Sequence, residues 1–233
     1  MSPVIVQVGL PVGTFWGYST KGLLTASDLA NKYPLLAGVS QIAGDQKYVP
    51  LHDEEGQITT ADKHNLGSAQ PKFTGSFSNT LSYKKLDLSF FFQGSYGNKI
   101  FNLLQQQLEI PKETVNSSAT LLNRYSDTNP NGSLPRATNS PVPQVIDRYI
   151  EDGTYLRLKS IMLGYSLPTS LFSMIHVKQF RIYVSVQNLL TVTKYTGTDP
   201  EANFYTGDNT KQGIDYGVYP SYRTYLAGVS ITF

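Results

Sequence analysis

The sequence predicts an all-β fold, an antiparallel transmembrane β-barrel of which this chain forms the C-terminal portion, with about six strands. Apolar and polar residues alternate with period two in segments of ~9–11 residues, the length that a tilted membrane strand needs. The connections between these segments are alternately short and long. Aromatic residues make up 12% of the chain and charged residues only 15%, a composition suited to a surface that is partly lipid and partly water.

Several segments carry this alternation. In the clearest of them, Phe180, Ile182 and Val184 share one face while Arg181 lies on the other, which places hydrocarbon on one side and a polar lumen on the other. Pro11 interrupts the first segment, because proline cannot donate to a sheet ladder. In chain order the predicted strands are Gly9–Tyr18, Phe73–Tyr83, Leu86–Tyr96, Tyr155–Ser166, Phe180–Gln187 and Tyr225–Phe233.

Two local signals refine these strands. Only Lys84–Lys85 separates the second strand from the third, so the two are predicted to form an antiparallel hairpin. In Tyr155–Ser166 the apolar positions change parity between Leu158 and Ile161, which indicates a β-bulge.

The lengths of the connections predict an orientation. Outer-membrane barrels have short periplasmic turns and longer extracellular loops. The C-terminus is therefore expected in the periplasm, and the long connections outside the cell. The long connections are Tyr18–Phe73, Tyr96–Tyr155 and Leu190–Tyr222, and the short ones are Lys84–Lys85 and Leu167–Val177.

Short helices are expected within the second long connection. Apolar residues recur there at the spacing of one helix face. The two sets are Phe101, Leu104 and Leu108, then Ala119, Leu122 and Tyr125.

The same alternation also fits a soluble β-sandwich. Connections of the ~30–55 residues found here are uncommon in compact domains, and they favour the barrel. A packed barrel takes about eight strands, so further strands would have to lie on the N-terminal side of this chain.

Composition argues against several other classes. The net charge of +2, without any run of Lys or Arg, gives no support for a nucleic-acid partner. The chain has no cysteine, which excludes a disulfide framework and thiolate chemistry. No segment approaches the ~20 apolar residues of a membrane helix, and the first residues lack the basic start and apolar stretch of a secretory signal.

No catalytic, cofactor or metal site is predicted. The segment His52–Asp62 (HDEEGQITTAD) offers oxygen atoms of the kind that hard cations prefer, but its spacing departs from a calcium loop, and a solvated acidic turn is expected. The histidines His52, His64 and His176 are far apart, with no serine or carboxylate predicted beside them. The carboxylates of Glu151–Asp152 would point to opposite faces of a strand. The chain is therefore not expected to be an enzyme.

Aromatic residues crowd the last long connection and its edges. Their rings would stack on sugar faces, or they would form an interfacial girdle and pack the loop, and the second interpretation is favoured. These residues are Tyr195, Phe204, Tyr205, Tyr216, Tyr219 and Tyr222.

Five blocks of sequence between Gly9 and Phe233 occur in the same order as in a known protein family. They are PVGTFWGY, LGSAQPKFTGSFSNTLSYKKLDLSFFFQGSYGNKIFN, DRYIEDGTYLRLKSIMLGYSLP, FRIYVSVQNLLTVTKYTGTDPE and GIDYGVYPSYRTYLAGVSITF. The ordered set resembles the SusC-like (RagA-type) TonB-linked outer membrane proteins, part of the TonB-dependent receptor family of the Bacteroidota.

The resemblance implies an outer-membrane barrel of about 22 strands with an N-terminal plug. It also implies a SusD-like surface lipoprotein and the TonB complex as partners, no cofactor, and uptake of an oligosaccharide or a peptide. Compared with that family, residues 1–233 are expected to lack a signal sequence, a TonB-contacting segment, the plug and the earlier strands. Residues 1–233 are thus expected to be the C-terminal part of a receptor barrel that does not transport alone. The alternative is a surface or secreted all-β module that binds glycans without transport.

Overall fold

A computed structural model describes residues 2–52, 56–110, 116–138, 141–168 and 177–233. No helix in these ranges is both long enough and apolar enough to cross a bilayer. The chain divides into two compact units. The sheet unit comprises Pro71–Gly97, Gly153–Tyr195 and Tyr219–Phe233, and the loop unit comprises Met1–Gln70, Asn98–Asp152 and Thr196–Val218.

Strands are the main elements of both units. In chain order the described strands are β1 (Val4–Ile5), β2 (Thr14–Gly17), β3 (Thr20–Leu23), β4 (Leu35–Leu36), β5 (Gln46–Tyr48), β6 (Gln57–Ile58), β7 (His64–Ser68), β8 (Phe73–Tyr83), β9 (Leu86–Tyr96), β10 (Lys99–Asn102), β11 (Ile150–Asp152), β12 (Tyr155–Ser166), β13 (Gln179–Thr193), β14 (Ile214–Asp215) and β15 (Thr224–Thr232). The described helices are α1 (Ala26–Ala30) and α2 (Leu103–Glu109), with 3-10 turns at Thr60–Asp62, Ala119–Asn123, Asp147–Tyr149 and Asn209–Lys211.

The sheet unit is one open antiparallel sheet with the strand order β8-β9-β12-β13-β15. Each strand pairs with the next one of this unit along the chain, which is the arrangement of an up-and-down barrel wall. The predicted hairpin is confirmed, because Tyr83 pairs with Leu86 across Lys84–Lys85. Five of the predicted strands are confirmed in this sheet. Much of the predicted turn Leu167–Val177 lies outside the described residues.

The two faces of this sheet differ in polarity, as the alternation predicts. The strand register aligns Leu88, Leu163 and Val184 in one apolar row, and the last two side chains are 46% and 53% exposed. Serine, threonine and charged residues occupy most of the opposite face. Asn79 interrupts the apolar face of β8, and its Oδ1 has no hydrogen-bond partner among the described residues. An exposed apolar face of this extent is suited to contact with lipid.

β12 contains the predicted bulge. Leu158 pairs with Phe92 of β9, whereas Ser160 pairs with the adjacent Phe91, so Lys159 has no counterpart on β9. The register between β12 and β13 shifts at the same point. This extra residue explains why the apolar positions of β12 change parity.

The first predicted membrane strand requires a correction. Gly9–Tyr18 contains only the short strand β2, which lies in the loop unit between β1 and β7. Phe15 of β2 is fully buried and belongs to the core of that unit. The alternation in this segment reflects burial in protein rather than contact with lipid.

The long connections form a folded unit with its own hydrophobic core. Two three-stranded sheets, β1-β2-β7 and β11-β10-β14, are accompanied by the strand pairs β3-β5 and β4-β6. Expected helical segments appear as α2 and as the 3-10 turn Ala119–Asn123, although Phe101 belongs to β10. The core brings together residues from the N-terminal segment and from all three connections, namely Phe15, Tyr18, Leu36, Tyr48, Ile58, Phe101, Ile146, Tyr149 and Ile214.

Candidate functional site

The loop unit contains a cavity of about 150 Å³. Its wall comes from the segment around β4 and β5, from α2, and from the segment that precedes β11. Apolar and polar side chains share the wall, among them Leu36, Val39, Gln41, Asp45, Tyr48, Gln106, Glu109, Ile110, Arg136, Val142, Gln144, Ile146 and Tyr149.

Hydrogen bonds hold the wall segments in place. The Gln41 side chain accepts from the Leu36 amide at 2.7 Å and donates to the Gln46 carbonyl at 3.0 Å. Gln106 Nε2 of α2 donates to the Gln144 carbonyl at 2.6 Å, which joins the helix to the segment before β11. These bonds form without a ligand, so the cavity is largely pre-formed.

The charged groups of the wall are paired. Arg136 Nε lies 2.8 Å from Asp45 Oδ1. Glu109 is buried, and its carboxylate accepts hydrogen bonds from Gln105 Nε2 and from the Tyr149 hydroxyl, each at 3.0 Å. Burial raises the pKa of Tyr149, and the Glu109 carboxylate raises it further, so this hydroxyl stays protonated and keeps donating. The cavity thus presents apolar surface between polar groups that mostly have partners. Arg136 Nε is the exception in this wall, because it makes no hydrogen bond among the described residues despite its short distance to Asp45.

The polar face of the sheet unit carries a second ordered feature. The Arg181 guanidinium of β13 crosses β12 to reach the Asp87 carboxylate of β9, with Nε 3.0 Å from Oδ1. The crossing point is Gly164, where a Cβ atom would collide with both charged groups. Similarly, the ring of Tyr183 lies over Gly228 of β15. These side chains therefore lie flat along the wall.

We expect Gly164→Ala to separate Asp87 from Arg181, because the new methyl group fills the space through which the pair meets. Both partners are flexible at their ends and partly exposed, so we expect only a small decrease in the unfolding temperature of the protein in detergent. Arg181→Ala should give a similar decrease, and the double variant should be no less stable than either single one. An additive loss in the double variant would show that the two changes act independently.

The acidic segment His52–Asp62 folds around its last residue. Asp62 is fully buried and accepts from the backbone amides of Leu51 at 2.7 Å, His52 at 2.9 Å and Thr59 at 2.8 Å. Burial alone would raise the pKa of the Asp62 carboxyl, but these amides together outweigh it, so the pKa lies below its usual value. The carboxylate therefore binds backbone amides of its own segment. Residues 53–55 of this segment lie outside the described part.

The described residues contain no group of three or more His, Asp or Glu side chains that could hold a metal ion.

One histidine does lie beside a serine, contrary to expectation. Ser19 Oγ is 3.0 Å from His64 Nε2, and His64 Nδ1 is 3.3 Å from the Asp62 carbonyl oxygen. The orienting group is a main-chain carbonyl rather than a carboxylate, and it would stabilise an imidazolium less well. The cavity wall includes neither residue. This contact connects β7 to the residues between β2 and β3. His176 lies outside the described residues.

The other predicted residues are distributed between the units. Glu151 accepts from Asn102 Nδ2 and from the Thr196 amide and hydroxyl, each at 2.8 Å, so it organises the loop unit. Phe204 meets Tyr205 and Tyr216 edge to face, with ring centroids 5.1 and 5.3 Å away.

The remaining members of the aromatic set belong to the sheet unit. Tyr195 is buried, whereas Tyr219 and Tyr222 are exposed. The set therefore combines packed rings with exposed rings.

Comparison with known proteins connects this architecture to a family. No protein-family model matches the sequence. TonB-dependent receptor P3 of Formosa agariphila is 39% identical over 233 aligned positions, which cover 98% of this chain and 23% of that receptor. TonB-dependent receptor SusC of Bacteroides thetaiotaomicron is 28% identical over 76% of this chain and 17% of that receptor. A solved structure of the RagAB peptide transporter covers 100% of this chain and 24% of its own chain, with a TM-score of 0.77 and 26% identity.

The chain belongs to the SusC-like TonB-dependent receptors. It spans less than a quarter of the length of either relative. In this SusC-like sequence the open antiparallel sheet is part of a receptor barrel, as the alternation of polar and apolar residues predicted. The relatives are named as receptors and the solved structure as a transporter, not as enzymes. The cavity of the SusC-like chain was not predicted, because Gln41, Gln106 and Arg136 come from segments that are distant in sequence.

Proposed function

We propose that this chain is part of an outer-membrane TonB-dependent receptor that takes up an oligosaccharide or a peptide. The observation that carries the proposal is the 39% identity to TonB-dependent receptor P3 across 98% of the chain. The similarity to the RagAB peptide transporter supports a role in import, and the exposed apolar face of the sheet supports an outer-membrane location.

The proposal includes parts that lie outside this chain. β8 and β15 each pair on one side only among the described strands, so closure of the barrel requires further strands. We infer that residues 1–233 form the C-terminal part of the barrel and that a plug and a TonB-contacting segment belong to the rest of the receptor. A SusD-like surface lipoprotein is the proposed partner, and no cofactor or catalytic step is proposed.

The proposed orientation places the C-terminus in the periplasm. The hairpin turn Lys84–Lys85 lies at the same end of the sheet as the end of β15, because Tyr83 and Leu86 flank the turn and strand direction alternates. Short turns of outer-membrane barrels face the periplasm. The long connections would then face the exterior.

Cysteine labelling tests this orientation. The chain has no cysteine, so Asn131→Cys in the loop unit and Lys84→Cys in the hairpin each add a single thiol at an exposed position of this chain. In intact cells we expect a membrane-impermeant maleimide to label Asn131→Cys but not Lys84→Cys. After permeabilisation of the outer membrane, both should be labelled. The opposite pattern in intact cells would invert the orientation.

Uptake tests the function itself. We expect deletion of the genomic segment that encodes this chain to abolish growth on one class of nutrient, either peptides or one oligosaccharide. Expression of the whole receptor from a plasmid should restore growth. The protein should fractionate with the outer membrane. A folded protein in the soluble fraction that binds glycans, with growth unchanged by the deletion, would support a binding module without transport.

A further inference from the structure

The cavity in the loop unit indicates which chemical group of the ligand it accepts. Its volume of about 150 Å³ is comparable to that of an apolar protein cavity that binds benzene. This space fits a single side chain of a few heavy atoms, whereas a whole sugar ring with its hydroxyl groups would remain partly outside it.

The polar groups of the wall are mostly engaged with one another. Gln41 uses both ends of its amide, and Gln106 Nε2 is bonded to a carbonyl. Asp45 and Arg136 form an ion pair, although Arg136 Nε makes no hydrogen bond among the described residues. Glu109 accepts from three donors. A hydroxyl-rich group in this space would either break these bonds or leave its own hydroxyls without partners, and both outcomes are unfavourable.

Much of the remaining wall is apolar, and it lacks an open ring face. Val39 and Ile110 contribute aliphatic surface, whereas the rings of Tyr48 and Tyr149 are 7% and 5% exposed and so offer no face for sugar stacking. Burial of an aliphatic group against such a wall is favourable in proportion to the apolar area removed from water. The exposed Ser40 also lines the cavity and supplies a polar group for a ligand main chain.

We propose that this cavity binds one compact aliphatic side chain, of the size of valine, leucine or proline, from a peptide ligand. The inference rests on the proposed uptake function and makes it more specific, because it selects peptides over oligosaccharides. The pre-formed wall lowers the entropic cost of binding, since the segments are already joined by hydrogen bonds.

The test uses the intact outer-membrane protein that contains this sequence, purified in detergent with any lipoprotein that remains bound. The protein is incubated with a tryptic digest of casein, washed, and its retained peptides are identified by mass spectrometry. A matched incubation with cellohexaose provides the sugar probe. We expect retained peptides to be enriched about fivefold or more in Val, Leu, Ile or Pro at one position, with little retention of cellohexaose.

A pair of tryptophan variants tests the site. Val142 lines the cavity and is 50% exposed, so Val142→Trp can fill the cavity without disturbing the core. Leu122 lies in the same unit, is 81% exposed and is not part of the wall. We expect Val142→Trp to abolish the aliphatic enrichment and Leu122→Trp to retain it. Unchanged enrichment in Val142→Trp would overturn the proposal, and so would retention of cellohexaose without peptides or of neither probe.

Failure of this inference is distinguishable from failure of the proposed function. If deletion abolishes growth on a nutrient while Val142→Trp grows and enriches peptides as the wild type does, the receptor function stands and the cavity assignment fails. If deletion leaves growth on every nutrient unchanged, the receptor function fails independently of the cavity.

Discussion

Gly17→Ala is expected to destabilise the loop unit by about 3 kcal/mol, at the upper end of the range for overpacked sites. A Cβ atom at Gly17 would collide with the main-chain oxygen of Val145 and would lie 2.8 Å from its carbonyl carbon and 2.9 Å from Leu66 Cδ1. Because the obstacle is backbone, it cannot rotate away as a side chain would. The strand β2 and the segment around Val145 must therefore separate.

That separation would reach the candidate cavity. The Tyr18 amide donates to the Val145 carbonyl at 2.9 Å, and Ile146, the next residue, lines the cavity. We expect Gly17→Ala to expose the Tyr18 amide and to displace this part of the wall. Hydrogen exchange measured by mass spectrometry should show faster exchange in peptides that contain Tyr18 and Ile146, and retention of peptide ligands should fall.

Gly207 provides the matched control for Gly17. It lies in the same unit, and a Cβ atom there would meet no other atom within 4 Å. Gly207→Ala should therefore leave hydrogen exchange and ligand retention unchanged. Equal exchange at Tyr18 in the Gly17→Ala variant and the wild type would mean that β2 does not pack closely against Val145.

The sheet unit was predictable because its signal is local. In β9 and β13, apolar and polar residues alternate because one face meets lipid and the other does not, and this can be read from consecutive residues. The bulge at Lys159 was also predictable, because the apolar positions change parity within a single strand. The Arg181–Asp87 pair across Gly164 could not be predicted, because it depends on the register of three strands.

The loop unit was not predictable because its contacts join residues that are distant in sequence. Its core joins Phe15, Phe101 and Ile214, which are separated by about a hundred residues each, and no short window contains that pattern. The misassigned Gly9–Tyr18 segment illustrates the ambiguity, because alternation alone does not distinguish a strand that faces lipid from one that faces a protein core. The cavity depends on the same long-range assembly, so its lining carried no motif.

Asp62→Ala is expected to be the second large perturbation of the loop unit. The variant removes the acceptor of the Leu51, His52 and Thr59 amides at once. Buried donors without partners cost about 1–3 kcal/mol each, so even partial access of water leaves a loss of about 3 kcal/mol in the free energy of unfolding. Hydrogen exchange in peptides covering 49–52 and 57–62 should accelerate, and proteolysis at Lys63 should become faster.

Asp28→Ala is the matched control, because the chain contains the same capping arrangement twice. Thr25 and Asp28 form a capping box at α1, as Thr59 and Asp62 do at their 3-10 turn. The carboxylate of Asp28 is partly exposed, whereas that of Asp62 is fully buried. Asp28→Ala also removes the ion pair with Lys47, so we expect it to affect exchange near α1 and β5. The difference between the variants measures what burial and the two additional amides add at Asp62.

The pH dependence provides an independent check on Asp62. Its pKa is lower in the folded protein than the unfolded value of about 3.9, so the folded state favours the ionised carboxylate. The stabilisation is complete above the unfolded pKa and is lost as the pH falls below about 4 through the folded pKa. The wild type should therefore lose protection of the Leu51 and Thr59 amides in this acidic range, whereas Asp62→Ala should lack this step. An identical acid transition in both proteins would mean that another carboxylate controls the segment, since the alanine variant has no group at this position to titrate.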